Sequence, residues 1–269
     1  MRQGIDIPYN FRMLSEYETW KMKKIGLFVC VILITALVTQ TYAQTTKSME
    51  EERKEIIPQY YYTDKELEKV SEYIIQQYGD YELVAHEMVS PDIHCDIVIV
   101  NPTEEQPYYK LVTMGAGAYK MNIPKEYKSK VCDRAEYVIF LPKDWNLKSD
   151  KEEDYWPIRM LKTVARLPVR SDDWLFYSHT VNLTDDGSPM AENTQFNSCV
   201  LLVSRGKNQY VKPLKLGRGK KVAFYQLYPL YQEELEYKLE NSFFDLWDKV
   251  DEEELNNQVI NIHRKNFCK

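Results

Sequence analysis

The feature that most constrains the fold is a run of five residues, Asp96-Ile97-Val98-Ile99-Val100, in which four consecutive apolar residues follow Asp96 without alternation. A strand with one face in water alternates apolar and polar residues, whereas a strand covered on both faces reads as a continuous apolar run. The run therefore predicts a central strand, and it requires helices to pack on both faces of the sheet.

Further short strands are predicted on either side of this run, separated by proline and glycine residues. The strand candidates are 82–88, 95–100, 110–114, 137–141, 175–181, 198–204 and 222–227. Short loops between the early strands favour antiparallel neighbours, because a short turn can join two antiparallel strands.

Apolar spacing and capping residues predict four helices, which begin near Thr63, Asp154, Gln232 and Ser242. Thr63 and Glu66 have the spacing of a capping box, and Gly79 is expected to end the first helix. Pro168 is expected to end the second helix, because proline lacks the amide hydrogen that a helix interior needs.

These elements occur without a Gly/Ser linker or an internal repeat, which indicates a single α/β domain over residues 63–269. A split near residue 150 is the alternative, because residues 146–153 are polar enough for a linker as well as for an exposed loop. Residues 44–62 are polar and charged, and we expect them to form a mobile leader.

Residues 22–44 have the layout of a signal peptide. Lys23 and Lys24 precede an uncharged run over residues 25–38, and small residues stand at the first and third positions before Gln44. The apolar run is shorter than the roughly 20 residues that a membrane-spanning helix needs.

We therefore predict signal cleavage between Ala43 and Gln44, with Met22 as the true start. An uncleaved anchor over residues 25–43 and a buried helix are the alternatives. Cleavage or anchoring would each deliver the following residues outside the cytoplasm, because the lysines remain on the cytoplasmic side. The expected location is the periplasm or the medium, with membrane contact only through the N-terminal segment.

The surface left after cleavage is acidic, since residues 44–269 carry 30 basic and 38 acidic residues, a formal charge of −8. This charge disfavours nucleic acid as a partner and suits a basic protein partner, although solubility alone also explains it. The four remaining cysteines are Cys95, Cys132, Cys199 and Cys268. Their spacing does not suit zinc, and their disulfide pattern stays open.

The residues that carry chemistry in other proteins form no recognisable catalytic pattern here. The four histidines, at positions 86, 94, 179 and 263, are scattered, and Gly115-Ala116-Gly117 is more typical of a tight turn than of a dinucleotide loop. The basic stretch 205–221 is interpreted as an exposed loop between two strands. The sequence therefore predicts no catalytic residue, no cofactor and no metal.

An ordered series of short motifs resembles the suppressor-of-fused domain family from about residue 93 to residue 250. The motifs are His94-Cys95-Asp96-Ile97, Leu111-Val112-Thr113-Met114-Gly115, Met121-Asn122-Ile123-Pro124, Arg134-Ala135-Glu136-Tyr137, Phe140-Leu141-Pro142 with Trp145, Trp156-Pro157-Ile158 and the stretch 227–235. The chain departs from the family at residues 113–117, where the family usually has a serine-bearing turn.

The resemblance implies a mixed, mainly antiparallel sheet flanked by helices on both faces. It singles out nine positions without assigning them a role: His94, Asp96, Thr113, Gly115, Met121, Pro124, Glu136, Trp145 and Glu234. Members of the family are interaction modules. The animal protein holds a transcription factor, and bacterial members are similar to immunity proteins that neutralise toxins.

From this resemblance we expect a non-enzymatic envelope domain that binds a protein partner, such as a basic toxin, through an acidic or aromatic face. The 21 tyrosines agree with such a face. The alternatives are an envelope enzyme or small-ligand-binding protein with a pocket on the same sheet, and a structural envelope protein.

Overall fold

The computed structural model describes residues 59–217 and 219–269, with the backbone alone at positions 253, 256 and 257. The predicted signal segment, the cleavage point between Ala43 and Gln44, the start at Met22 and most of the predicted leader lie outside the described residues. Within the described part of the chain, no helix is long and apolar enough to cross a membrane.

Eight strands form the described sheet. They are β1 (Tyr81–Ala85), β2 (Asp96–Val100), β3 (Tyr108–Met114), β4 (Arg134–Pro142), β5 (Thr180–Asn182), β6 (Ser198–Val203), β7 (Leu214–Gly217) and β8 (Lys220–Leu230). Their order is β1-β2-β3-β4-β8-β6-β5, and β7 pairs with β8 outside this path. β4 and β8 are parallel and all the other pairs are antiparallel, which confirms the expected mixed sheet.

Helices cover both faces of this sheet. The described helices are α1 (Asp64–Tyr78), α2 (Glu152–Ser171), α3 (Gln232–Glu240), α4 (Phe243–Trp247) and α5 (Glu252–Asn257). On one face α2 packs against side chains such as Tyr225 and Leu227 of β8. On the other face α1 packs against Phe224, and α4 packs against Tyr228. Since all five residues of β2 are buried, the prediction of a doubly covered strand is confirmed.

Local rules explain the start of α1 but not the end of α2. Thr63 caps α1, and the capping box with Glu66 is present. The prediction that Pro168 ends α2 was wrong, because the helix continues to Ser171 and ends where Asp172 adopts a left-handed conformation with φ of 50°. Proline at position 168 removes only one backbone N–H donor from the helix. Its carbonyl oxygen still accepts a hydrogen bond from the amide of Asp172, so the helix can continue past it.

Three segments differ from the sequence-based expectation. The strand predicted at 175–181 begins only at Thr180, because Ser178 has a φ of 68° that an extended strand cannot accommodate. The stretch 205–221 is not only an exposed loop, since residues 214–217 form β7. The packed domain also begins before residue 63: Tyr60 pairs with Ile93, and Tyr62 is buried.

Lys110 on β3 is a buried cation whose Nζ has no hydrogen-bond partner in the described part of the chain. The amine lies 5.2 Å from the centre of the Tyr108 ring. Removal from water, together with the charge of Lys207, lowers the pKa of Lys110 to about 8. The unpaired amine therefore costs the folded state free energy near neutral pH.

We expect Lys110→Met to raise the free energy of unfolding at pH 7 by about 2 kcal/mol, because methionine keeps the shape without the charge. The unfolded amine keeps its proton up to about pH 10, whereas the folded amine loses it above about pH 8. The wild type therefore gains stability as pH rises from about 8 to about 10. The difference in the free energy of unfolding between Lys110→Met and the wild type narrows over the same range. Urea denaturation at pH 7 and pH 9.5 checks both points, with the exposed Lys215→Met as control. A less stable Lys110→Met protein at pH 7 would contradict this account.

Candidate functional site

Glu136 on β4 is a buried carboxylate at the centre of several positions that the sequence singled out. Thr113 Oγ1 donates to one of its oxygens at 2.6 Å, and Tyr62 Oη donates to the other at 2.8 Å. The backbone amides of residues 115–117 donate at 3.0, 3.2 and 3.0 Å. Burial raises the pKa of Glu136, and the hydrogen bonds oppose this rise because they favour the ionised form. The carboxylate therefore ties the turn after β3 to β4.

Gly115 occupies a position in this turn that a side chain cannot share. Its φ is 135°, and a Cβ built there would lie 1.9 Å from the carbonyl oxygen of His94. The predicted tight turn is confirmed, and the glycine is explained by close contact between two backbone segments as well as by its conformation.

His94 and Asp96 lie beside this turn, at the start of β2. The carboxylate of Asp96 is 3.3 Å from His94 Nε2 and 2.9 Å from His86 Nδ1, and it accepts from the backbone amide of Glu87 at 2.9 Å. Across the described residues, no group of three or more His, Cys, Asp or Glu side chains could hold a metal ion. Asp96 therefore organises the loop between β1 and β2.

A buried arginine fastens the same loop to helix α2. Arg166 pairs with Glu87, and its Nε lies 3.0 Å from a carboxylate oxygen of Asp92. Glu87 in turn accepts from Ser90 Oγ at 2.7 Å and from the amide of Cys95 at 3.2 Å. Since each of these groups already has partners within the fold, the network is structural.

The remaining singled-out positions lie elsewhere. Met121 is buried and its sulfur accepts from the amide of Leu175, while Pro124 begins a turn closed by the amide of Tyr127. Trp145 follows the end of β4, and Glu234 lies buried in α3. The structure thus brings together five of the nine positions, His94, Asp96, Thr113, Gly115 and Glu136.

An aromatic band lies on the surface, away from this buried centre. We define the aromatic band as Tyr127, Trp174, Phe176, Tyr177, Phe244 and Trp247. Consecutive ring centres are 5.3 Å apart for Tyr127 and Trp174, 6.2 Å for Trp174 and Phe176, and 6.5 Å for Phe176 and Tyr177. The buried Phe243 connects Tyr177 to Phe244 and Trp247 through contacts of 5.2, 5.5 and 5.2 Å.

Two members of the band are exposed and the other four are partly buried against the core. Phe244 is 67% exposed and Tyr127 is 42% exposed, while the other members are half-buried. His179 contacts Trp174 at 4.7 Å, and burial together with the charge of Lys238 lowers the pKa of His179. The lowered pKa favours the uncharged imidazole beside the band.

A groove adjoins the band at the end of β6. It has a volume of about 360 Å³ and is lined by Tyr177, Leu202, Val203, Tyr210, Trp247 and Gln258. Tyrosine and tryptophan give a large contact area at a small entropic cost, and they are enriched among the residues that dominate binding energies at protein interfaces. This arrangement can accept an apolar side chain of a protein partner.

Sequence reasoning did not find this band. Tyr177 falls within the predicted strand 175–181, whereas in the structure it lies before β5 and is half-buried. The available signals were the tyrosine count and the helical spacing of Phe243 and Trp247, and neither shows which ring faces water.

Comparisons with known proteins agree on one family. The sequence profile described as "Suppressor of fused protein (SUFU)" matches residues 91–265. A solved SUFU homologue from Neisseria gonorrhoeae is 18% identical, with a TM-score of 0.50 over 77% of this chain and 96% of that chain. A chain of the solved Sufu-Fu complex is 10% identical, with a TM-score of 0.53 over 75% of this chain and 90% of that chain. No curated protein matches the chain significantly. At these identities the two structures establish the fold alone.

Proposed function

The chain belongs to the suppressor of fused family, and we propose from this premise that its domain is a non-enzymatic module that holds a protein partner on the aromatic band. The observation that carries the proposal is the run of part-exposed rings from Tyr127 to Trp247 beside an apolar groove. Monomeric proteins rarely expose contiguous apolar surface of this kind unless it serves an interaction.

Two further observations support a binding role. A protein with the same fold was solved as the Sufu-Fu complex, so this fold has held a protein partner in at least one case. The carboxylates of Glu136 and Asp96 accept hydrogen bonds from backbone amides within the domain, which favours a structural role for them.

The finer proposal is an exported, immunity-type role in which the domain neutralises a basic partner toxin in the cell envelope. It rests on the signal-like layout of residues 22–44 and on the acidic balance of residues 44–269. An acidic domain attracts a basic partner over distances of about 10 Å at moderate ionic strength.

The test is affinity capture with the native protein as bait, quantified by mass spectrometry for the wild type and three variants. We expect a stoichiometric partner to be retained by the wild type and lost about tenfold or more in Tyr210→Ala and in Phe244→Ala, since truncating an interface aromatic commonly costs over 1 kcal/mol. Tyr61→Ala is the matched control, because Tyr61 is an equally exposed tyrosine outside the band.

Two further measurements on the same samples test the proposed exported, immunity-type role. An N-terminus at Gln44 on the native protein and loss of the partner's toxicity on binding are the expected results. A partner retained equally by all four proteins would contradict the aromatic band, and an N-terminus at Met1 or Met22 on an internal, unprocessed protein would contradict export.

A further inference from the structure

A histidine lies among the rings of the aromatic band. The ring centre of His179 is 4.7 Å from that of Trp174 and 6.3 Å from that of Phe176, and it meets both rings edge to face. The imidazole is half-buried in the domain without a partner. A protein that covers Trp174 and Phe176 would therefore also remove water from a group that titrates near neutral pH.

Two charged side chains face this imidazole from different elements. Lys238 approaches from α3, where its Nζ donates to Thr180 Oγ1 at 3.4 Å, and no carboxylate pairs with this ammonium within the described residues. Asp173 lies on the histidine's own segment, and its carboxylate accepts from the backbone amide of Trp174 at 2.7 Å. A proton on His179 would add a second positive charge beside Lys238 and apolar rings.

The balance of these surroundings disfavours the protonated imidazole. Burial and the charge of Lys238 lower the pKa of His179, while the backbone carbonyl of Trp174 and the charge of Asp173 oppose this shift without cancelling it. The packed turn therefore binds a proton less readily than a histidine in water, whose pKa is about 6.5.

The turn that carries these rings is already strained. Ser178 has a φ of 68°, a left-handed conformation that is unfavourable for a residue with a Cβ. The turn is held by three backbone hydrogen bonds: the amide of Ser178 donates to the carbonyl of Leu201 at 2.8 Å, that of Leu201 to the carbonyl of His179 at 2.9 Å, and that of His179 to the carbonyl of Phe176 at 3.0 Å. A charge on His179 adds to the strain that these bonds must hold.

We propose that His179 makes the aromatic band sensitive to pH, so that its protonation loosens residues 174–179 and releases the protein partner. The release step rests on the proposed binding role of the band. The direction follows from proton linkage: because the loosened turn binds a proton more readily than the packed turn, acid favours the loosened turn. The packed turn is fully stabilised above about pH 6.5, and this stabilisation is lost as the pH falls below that value.

Partner binding is expected to follow the same direction. A partner on Trp174 and Phe176 buries the imidazole further, so the complex binds a proton even less readily than the free domain. The affinity then falls by up to about tenfold for each pH unit below the pKa of His179 in the free domain. Neutral pH therefore favours the complex, and acid favours release.

The first test needs no partner. Amide hydrogen exchange of the native protein is measured at pH 7 and pH 5 and corrected for the intrinsic effect of pH, for the wild type, His179→Gln and the control His263→Gln. His263 is exposed and lies outside the band. We expect exchange in residues 174–182 to be at least about threefold faster at pH 5 in the wild type and the control, and unchanged in His179→Gln, because glutamine takes up no proton in this range.

An NMR titration of the wild type keeps the proposal testable if His179→Gln fails to fold. We expect the Cε1–H signal of His179 to titrate with a midpoint below about 6.5. A midpoint at or above this value would overturn the proposal. Equal acceleration of exchange in the wild type and His179→Gln, or none in either, would do the same.

The release step is measured on the complex captured with the native protein. The complex is washed at pH 7 or pH 5, and the partner retained at pH 5 is expressed as a fraction of that retained at pH 7. We expect this fraction to be at least about threefold smaller for the wild type and His263→Gln than for His179→Gln. Equal fractions for all three proteins would overturn the release step and leave the proposed function standing. Equal retention by Phe244→Ala and the wild type at pH 7 would instead contradict the band itself.

Discussion

Replacing Gly115 by alanine is expected to cost more than about 3 kcal/mol of folding free energy, which is enough to leave little folded protein. Two effects add. A φ of 135° is strained for any residue with a Cβ, and that Cβ would lie 1.9 Å from the carbonyl oxygen of His94. Relief requires the turn to move, which breaks the hydrogen bonds from residues 115–117 to Glu136. Urea denaturation followed by circular dichroism measures the loss.

Gly217→Ala is the matched control for the backbone strain. Gly217 also has a positive φ, of 101°, but no atom lies within 4 Å of the position of its Cβ. We expect this variant to lose only about 1–2 kcal/mol from strain alone. Equal losses in the two variants would show that the contact with His94 does not contribute.

The second large effect is expected at the buried ion pair of Glu234 and Arg264. Arg264 donates to the two carboxylate oxygens at 2.7 and 2.6 Å, and the side chains are 3% and 0% exposed. Four aromatic rings surround the guanidinium with centres 4.8 to 5.1 Å away, and they belong to Phe196, Tyr228, Tyr231 and Phe267. The pair fastens the C-terminal segment to α3.

Glu234→Gln is expected to lower the free energy of unfolding by about 3–5 kcal/mol, because it leaves a buried cation without its counter-charge. The exposed pair of Lys265 and Asp251, 2.7 Å apart, provides the control, and Asp251→Asn should cost less than about 1 kcal/mol. The double variant Glu234→Leu with Arg264→Met should recover only part of the loss, since it removes both charges but leaves the amides of Tyr231 and Phe267 without their acceptor. A loss as small in Glu234→Gln as in Asp251→Asn would contradict the assignment.

Features governed by local rules could be predicted from the sequence. The apolar run at 96–100 predicted a doubly covered strand, Thr63 and Glu66 predicted the start of a helix, and Gly115 predicted a turn, because each leaves a signal in the local residue pattern. The end of α2 was misplaced because burial and the remaining hydrogen bonds outweighed the single donor that Pro168 lacks.

Features set by long-range pairing could not be predicted. The parallel pairing of β4 with β8 joins Arg134 to Val222, far apart in the sequence. Glu136 receives its hydrogen bonds from residue 62 and from residues 113–117, which only the fold brings together. The aromatic band likewise combines separate segments, and periodicity does not specify which faces of loops and short helices remain in water.

The most direct test of the protein-binding role is amide hydrogen exchange, measured on the native protein alone and with its captured stoichiometric partner. We expect new protection at residues 174–182 and 243–247, which carry most of the aromatic band. We expect unchanged exchange in α1, which carries no residue of the band. Protection confined to segments outside the band, or the lack of any stoichiometric partner for the native protein, would contradict the account.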